Sequence, residues 1–256
     1  MNDILSISDD KAFYTLEGEG RFVGQPSVFL RLAMCNLTCK GFASADSPHG
    51  CDSYVSWSIK NRFSYEELNK YFEDNGLVDK LKRGAILKLT GGEPLLQQKR
   101  LYEWVVQFKS TFGFRETFLG DGPILKIDFE TNGTILPDDK WVCVLNATFT
   151  TSPKMSNNGD AEKLRYKPEV LKYLISENAC FKFVINNQSD LDELYANYIN
   201  STDVLLPKNL IWLMPCCGSR KEHELKAPMV AELCKEHGFN FSPRLHLVLW
   251  DLALKV

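Results

Sequence analysis

Excess positive charge is missing from this chain. Its 256 residues carry 30 Lys and Arg against 33 Asp and Glu, a formal net charge of −3, which argues against nucleic-acid binding through bulk electrostatics. Long apolar runs are missing too, and no stretch approaches the roughly 20 residues that cross a membrane. The polar, acidic segment 1–11 lacks the basic flank and apolar run of a secretory signal or transit peptide. Histidine is scarce, and the four present (49, 223, 237 and 246) show no two-histidine metal spacing. Internal repeats, low-complexity tracts and linkers that would split the chain are absent. The expectation is a cytoplasmic protein forming a single domain over 1–256, with neither nucleic acid nor membrane as partner. A chain of this length buries roughly 70 to 75% of its unfolded surface. It needs no disulfide staples.

Cysteine, by contrast, is plentiful: eight residues, at 35, 39, 51, 143, 180, 216, 217 and 234. In a reducing compartment a group of cysteines reads as metal-binding or catalytic, and three of the eight fall between 35 and 51. Thiolates grouped near a strand end hold an iron–sulfur cluster or zinc, and three of them leave one site of a four-metal cluster open to a substrate. From spacing alone an iron–sulfur cluster, a structural zinc with His49 as fourth ligand, and simple packing all stay open. Cys143 and Cys180 in strands and Cys234 on a helix are expected to pack. Adjacent Cys216 and Cys217 are poor chelators of one metal, and the charge run 220–224 reads as a solvated helix face.

Seven β-rich runs are strand candidates: 28–32, 85–89, 124–129, 142–149, 180–185, 210–214 and 245–250. Helix signals lie between them. Ser64 with Glu67 three residues on is a capping box, in front of a segment that Asn75-Gly76 interrupts. Leu101, Trp104, Val105 and Phe108 recur at helical spacing, so one face of that helix is core. Segments 167–175, 189–199 and 221–237 complete the helices, with Pro228 expected to split or kink the last. Alternation of this kind predicts α/β. The units are too few for a complete eight-fold barrel, leaving a partial barrel or an open parallel sheet. Three stretches, 33–62, 111–123 and 155–163, fit no element, and loops of such length are commonly functional.

Two constellations carry chemistry. Cys35-Asn36-Leu37-Thr38-Cys39 follows the first strand candidate, and Cys51-Asp52-Ser53 comes eleven residues later. The strand 85–89 ends in Thr90-Gly91-Gly92-Glu93-Pro94, where paired glycines allow close backbone approach by a ligand, at the strand end where α/β proteins bind one. Together these resemble the radical S-adenosylmethionine superfamily. The segment 13–20 (FYTLEGEG), then Gly24-Gln25-Pro26-Ser27 and Phe29-Leu30-Arg31-Leu32, is similar to the amino-terminal signature of the 7-carboxy-7-deazaguanine synthase family. Glu130-Thr131-Asn132-Gly133-Thr134, Ser152-Pro153-Lys154 and Lys182-Phe183-Val184 follow in that family's order, so the resemblance runs from about 11 to about 185 and more weakly beyond. One departure stands out. The usual third cysteine position is Phe42 here, which implies an insertion within 41–50 and makes Cys51 the third ligand.

The resemblance implies a partial (β/α)6-type radical barrel, with Cys35, Cys39 and Cys51 binding a four-iron four-sulfur cluster in the loop 33–62. It implies S-adenosylmethionine at Gly91, Gly92, Glu93, Glu130, Thr131, Asn132, Ser152 and Lys154, with the Gly-Gly-Glu segment facing the cofactor's ammonium. The substrate, 6-carboxy-5,6,7,8-tetrahydropterin, would meet Leu16, Glu17, Gly18, Thr90 and Arg31, the last gripping its carboxylate. Glu17 stands where many relatives carry Gln. Ser53 is placed as a magnesium contact. The implied activity is that of a carbon–nitrogen lyase in deazapurine biosynthesis, contracting the pterin ring with loss of ammonia, fed by a one-electron donor such as flavodoxin or ferredoxin and working as a homodimer. A glycyl-radical activating enzyme or other small radical enzyme is the second enzyme reading. A zinc-binding interaction module on the three cysteines is the non-enzyme alternative.

Overall fold

The computed structural model describes residues 3–42, 48–51, 53–115, 121–251 and 253. The chain opens with β1 (Ile4–Leu16) and β2 (Pro26–Leu32), then α1 (Tyr54–Ser58), β3 (Asn61–Ser64), α2 (Tyr65–Asp74) and α3 (Leu77–Lys82). Next come β4 (Ile86–Gly91), α4 (Gln98–Phe112), β5 (Lys126–Thr131), α5 (Lys140–Cys143), β6 (Thr148–Thr151), α6 (Glu162–Arg165) and α7 (Pro168–Ser176). The rest is β7 (Cys180–Ile185), α8 (Gln188–Leu194), β8 (Ile211–Pro215), α9 (Arg220–His237), β9 (Asn240–Phe241) and α10 (Leu245–Trp250).

Among the described residues one sheet runs in the order β3-β1-β2-β4-β5-β6-β7-β8-β9. Neighbours from β2 through β4, β5, β6, β7 and β8 pair in parallel, with β9 as a two-residue parallel edge. β1 is antiparallel to β2, and β3 to β1. The two ends are different strands, so the sheet stays open around six full parallel strands: the partial barrel expected from the sequence.

Strand alternation decides what each face does. Leu87, Leu89, Ile127, Phe129, Phe149, Phe181, Phe183 and Ile185 join the apolar core with Leu101, Trp104, Val105 and Phe108 of α4. The residues between them are Lys88, Thr90, Asp128, Glu130, Thr150 and Lys182, and they point to the other face, the barrel interior. The capping box at Ser64 forms in both directions, with Ser64 N donating to Glu67 and Glu67 N to the Ser64 hydroxyl. Gly76, at φ 64, separates α2 from α3.

Several expectations need correction. Of 142–149, only the end is strand: α5 occupies 140–143, because the indole of Trp141 turns inward to full burial and Asp138 receives the Lys140 N–H. Cys143 is consequently exposed rather than packed. The run 245–250 is helix α10, which buries Leu247 while Val248 and Leu249 stay exposed. β1 is missing from the expected strands, its polar residues having hidden the alternation that buries Leu5 and Ile7. Within 33–62, α1 and the start of β3 are ordered elements. α9 passes through Pro228 without splitting, because that residue is exposed and its lost hydrogen bond lies on the water side. The run 220–224 is not simply a solvated face: His223 is buried, and Arg220 donates to the Leu247 and Leu249 carbonyls. No described helix is long and apolar enough to cross a membrane.

Candidate active site

The carboxyl ends of the parallel strands converge on one side of the sheet. Past β2 the chain enters the cysteine segment, and past β4 it enters Gly91-Gly92. Gly92 N–H donates to the Leu32 carbonyl (3.1 Å) and Glu93 N–H to the Met34 carbonyl (2.9 Å). The approach is so close that a Cβ on Gly92 would overlap the Met34 carbonyl and sit 3.0 Å from the Cys35 Cβ. Gly91, at φ 123, would collide likewise with Leu32. Only glycine permits this contact, which sets the shelf directly against the first cysteine.

The three sequence-predicted cysteines come within electrostatic reach of one another. Burial, followed by the charges of Glu93, Cys39 and Cys51, pushes the Cys35 thiol up to about 11. Against each sulfur lies an uncharged side-chain N–H donor from a different part of the chain. Asn132 Nδ2 lies 3.9 Å from Cys35 Sγ, Asn158 Nδ2 3.7 Å from Cys39 Sγ, and Trp57 Nε1 3.4 Å from Cys51 Sγ. No three His, Cys, Asp or Glu side chains among the described residues close around a single metal ion. Converging thiols supplied with N–H donors fit an iron–sulfur cluster, whose charge would keep them deprotonated. Of the 41–50 insertion, residues 43–47 lie outside the described residues, as does Asp52. Ser53 begins α1 without its side chain capping that helix.

Glu93 is fully buried and accepts from Asn132 N (2.7 Å), Leu95 N (3.0 Å) and the Thr131 hydroxyl (3.0 Å). Burial pushes its carboxyl up to about 7 against those donors. These bonds tie the Gly91-Gly92 turn to the β5 end. Asn132 donates to the Asn36 side chain (2.9 Å) and accepts from the Thr134 hydroxyl (2.6 Å). Ser152 N–H bonds the Thr131 carbonyl (2.8 Å), and Lys154 donates to the Ser152 hydroxyl (2.8 Å). Gly92, Thr131, Asn132, Ser152 and Lys154 thus form one continuous rim.

Deeper in, the interior is ionic. Lys88 lies 2.5 Å from Glu17 and 2.6 Å from Asp128, all three essentially without solvent contact. Asp128 also accepts from Thr148 (2.6 Å) and Thr150 (2.9 Å). Burial drives the Glu17 carboxyl up to about 7, against the pull of Lys88, while Asp128 and Glu17 overcome burial to hold Lys88 charged. Lys182 pairs with Glu19 and lies 3.8 Å from Glu130. Glu130 accepts from Thr90 at 2.7 Å. Arg244 Nε reaches Glu19 at 3.0 Å. Burial works against the charge of Glu19, but Lys182 and Arg244 prevail and hold its carboxyl well below the usual range. Arg31 pairs in register with Thr90 and lies 5.4 Å from the centre of the Phe13 ring.

The loop after Leu16 closes on itself through Glu17 N–H to Gln25 O and Gly24 N–H to Glu17 O, both 2.8 Å. The segment 242–246 covers it: Gly20 N–H donates to Ser242 Oγ and Leu245 N–H to Gly18 O, and a Cβ on Gly18 would strike His246. Lys88, Glu19, Asp128, Ser242, Arg244 and His246 are site residues that the sequence reading did not assign. For Lys88 and Asp128 a signal existed, since KIDFET places a charge at every second residue inside a strand and ILKLT sets one lysine among apolar neighbours.

Six parallel strands in an open barrel, with cysteines at the end of the first against glycines at the end of the second, define a radical S-adenosylmethionine protein. Residues 16–133 match the family described as a 4Fe-4S single cluster domain. The 7-carboxy-7-deazaguanine synthase of Halobacterium salinarum is 30% identical, covering 95% of this chain and 90% of that one. The enzyme of the same name from Pyrobaculum aerophilum is 28% identical over 94% of this chain and 93% of its own. The crystal structure of QueE from Escherichia coli shares the fold, with a TM-score of 0.58 at 22% identity and 95% coverage of both chains. The chain belongs to the 7-carboxy-7-deazaguanine synthase family.

Proposed function

We propose that the whole chain works as one radical S-adenosylmethionine domain converting 6-carboxy-5,6,7,8-tetrahydropterin to 7-carboxy-7-deazaguanine with loss of ammonia. The observation that supports the reading is the glycine-only contact of Gly92 with the Met34 carbonyl and the Cys35 Cβ, which sets the glycine turn against the first cysteine. Cys35, Cys39 and Cys51 hold the cluster. Gly91, Gly92, Glu93, Glu130, Thr131, Asn132, Ser152 and Lys154 hold S-adenosylmethionine, with the Gly91-Gly92-Glu93 segment facing its ammonium. When bound, the two cofactors supply radical abstraction of hydrogen from the substrate.

The chain's own residues do the rest. Arg31 meets the pterin carboxylate with its planar guanidinium. Leu16, Glu17 and Gly18 present the substrate loop, and Thr90, fixed by Glu130, orients its hydroxyl from the neighbouring strand. The segment 242–246, bonded to Gly18 and Gly20, excludes water. Ser53 contacts magnesium. A flavodoxin- or ferredoxin-like donor supplies one electron, and the enzyme acts in the cytoplasm as a homodimer.

The test is anaerobic assay of the reconstituted protein with the tetrahydropterin. Formation of the deazapurine is expected. Cleavage of S-adenosylmethionine without deazapurine would overturn the substrate, and colourless zinc-loaded protein would overturn the cofactor.

A further inference from the structure

The segment 155–163 matches no element expected from the sequence, and the reaction above leaves it without a role. Its contacts lead to the middle cysteine. Asp160 accepts from the Thr38 backbone N–H (3.1 Å), the Thr38 hydroxyl (2.7 Å) and the Cys39 backbone N–H (3.0 Å). Asn158, fully buried, donates to Asp160 (2.9 Å) and faces Cys39 Sγ, while its own side-chain oxygen accepts from Asp160 N (2.9 Å). Cys39 has φ 51, a left-handed conformation that a non-glycine residue keeps only when its surroundings impose it. Gly41 packs so closely that a Cβ would overlap the Asn157 carbonyl.

The far side of this segment is anchored as well. Asn157 donates to Asp190 of α8 (3.0 Å), and Ser156 N–H to Glu193 of the same helix (2.9 Å). Arg165 joins Glu193 (3.1 Å) to the Lys154 carbonyl (3.1 Å). A continuous set of polar contacts therefore runs from α8, through 154–165, to the turn that aims Cys39.

We propose that Asn158-Gly159-Asp160 is the positioning element of the cluster's middle thiolate, holding the Thr38-Cys39 turn in its ligating shape before iron arrives. The proposal rests on the reading of Cys35, Cys39 and Cys51 as cluster ligands. Asp160 and Asn158 act through Cys39, and their contribution is to lower the ordering that metal capture requires.

The experiment uses the full chain, reconstituted without oxygen, and measures iron release to a ferrous chelator together with the Tm of the iron-free protein. Asp160→Asn leaves one oxygen for four donors and should release iron about ten- to a hundredfold faster, the range of second-sphere losses around metals. Thr38→Val should move in the same direction. Thr38→Ser, which keeps the hydroxyl, should match wild type, and iron-free Tm should not change. Wild-type release rates in Asp160→Asn would overturn the proposal. So would faster release accompanied by a matching fall in iron-free Tm, since the residue would then support the fold alone. Wild-type chain that takes up no cluster is a different failure, and it removes the cluster reading itself.

Discussion

The two ends of the site are built from different materials. Around the sulfurs the partners are neutral: the amides of Asn132 and Asn158, the Trp57 indole and glycine backbone. A few residues away the barrel interior is held by Lys88, Lys182 and Arg244 against Glu17, Glu19, Asp128 and Glu130. The ionic interior sets three cations against four carboxyl groups, an arrangement already paired within the protein. At the sulfur end these contacts are neutral N–H groups, and on the proposed reading iron would balance the charge of three thiolates. Damage at one end should therefore appear in cofactor loading, and damage at the other in stability.

The sharpest break in that contrast is loss of a sulfur. Cys35→Ala, Cys39→Ala and Cys51→Ala should each abolish the iron–sulfur absorbance and the activity while leaving the iron-free Tm near wild type. Unchanged iron content in Cys51→Ala would return the third ligand to an open question. Lys88→Met should do the reverse. It strands Glu17 and Asp128 as buried unpaired carboxylates and should cost about 3–5 kcal/mol in denaturant unfolding. A loss below 1 kcal/mol would show that water reaches the pair.

Gly92→Ala probes the boundary between the two ends. The methyl must displace backbone, an overpacking cost of about 1–3 kcal/mol, and titration calorimetry should show weakened S-adenosylmethionine binding with iron retained. The smallest effect concerns pH. Glu17 faces Lys88, Glu130 and Lys182, with Glu19 beside it, and its carboxyl is raised from 4.5 to about 7. Between those values the folded chain keeps a proton that the unfolded chain has released. Stability therefore falls as pH rises through that window, and the penalty is complete above it. Glu17→Gln removes the effect, so its stability relative to wild type should improve by about 2 kcal/mol between pH 5 and 8. No pH dependence in that difference would mean that Glu17 is ionised throughout.

What the sequence revealed follows the same division. The cysteine and glycine segments are local, consecutive motifs and were legible, as were α4 from its apolar spacing and α2 from its cap. The ionic interior depends on residues more than two hundred positions apart, such as Glu19 with Arg244, and no local pattern announces such a pair. Lys88 and Asp128 lay in plain alternation, yet apolar neighbours made their strands read as covered on both faces. The run 245–250 was misread because a short apolar stretch suits helix and strand equally. The positioning contacts of Asp160 were invisible for the reason that makes them useful, since they join a loop to a turn 122 residues away.

The central claim is that thiolates and glycine shelf hold one cofactor assembly between them. Electron paramagnetic resonance of the dithionite-reduced, oxygen-free protein tests it most directly. A reduced four-iron four-sulfur signal that changes on addition of S-adenosylmethionine, and is lost in Cys35→Ala, is the predicted result. A signal indifferent to S-adenosylmethionine, or no cluster signal at all, would contradict it.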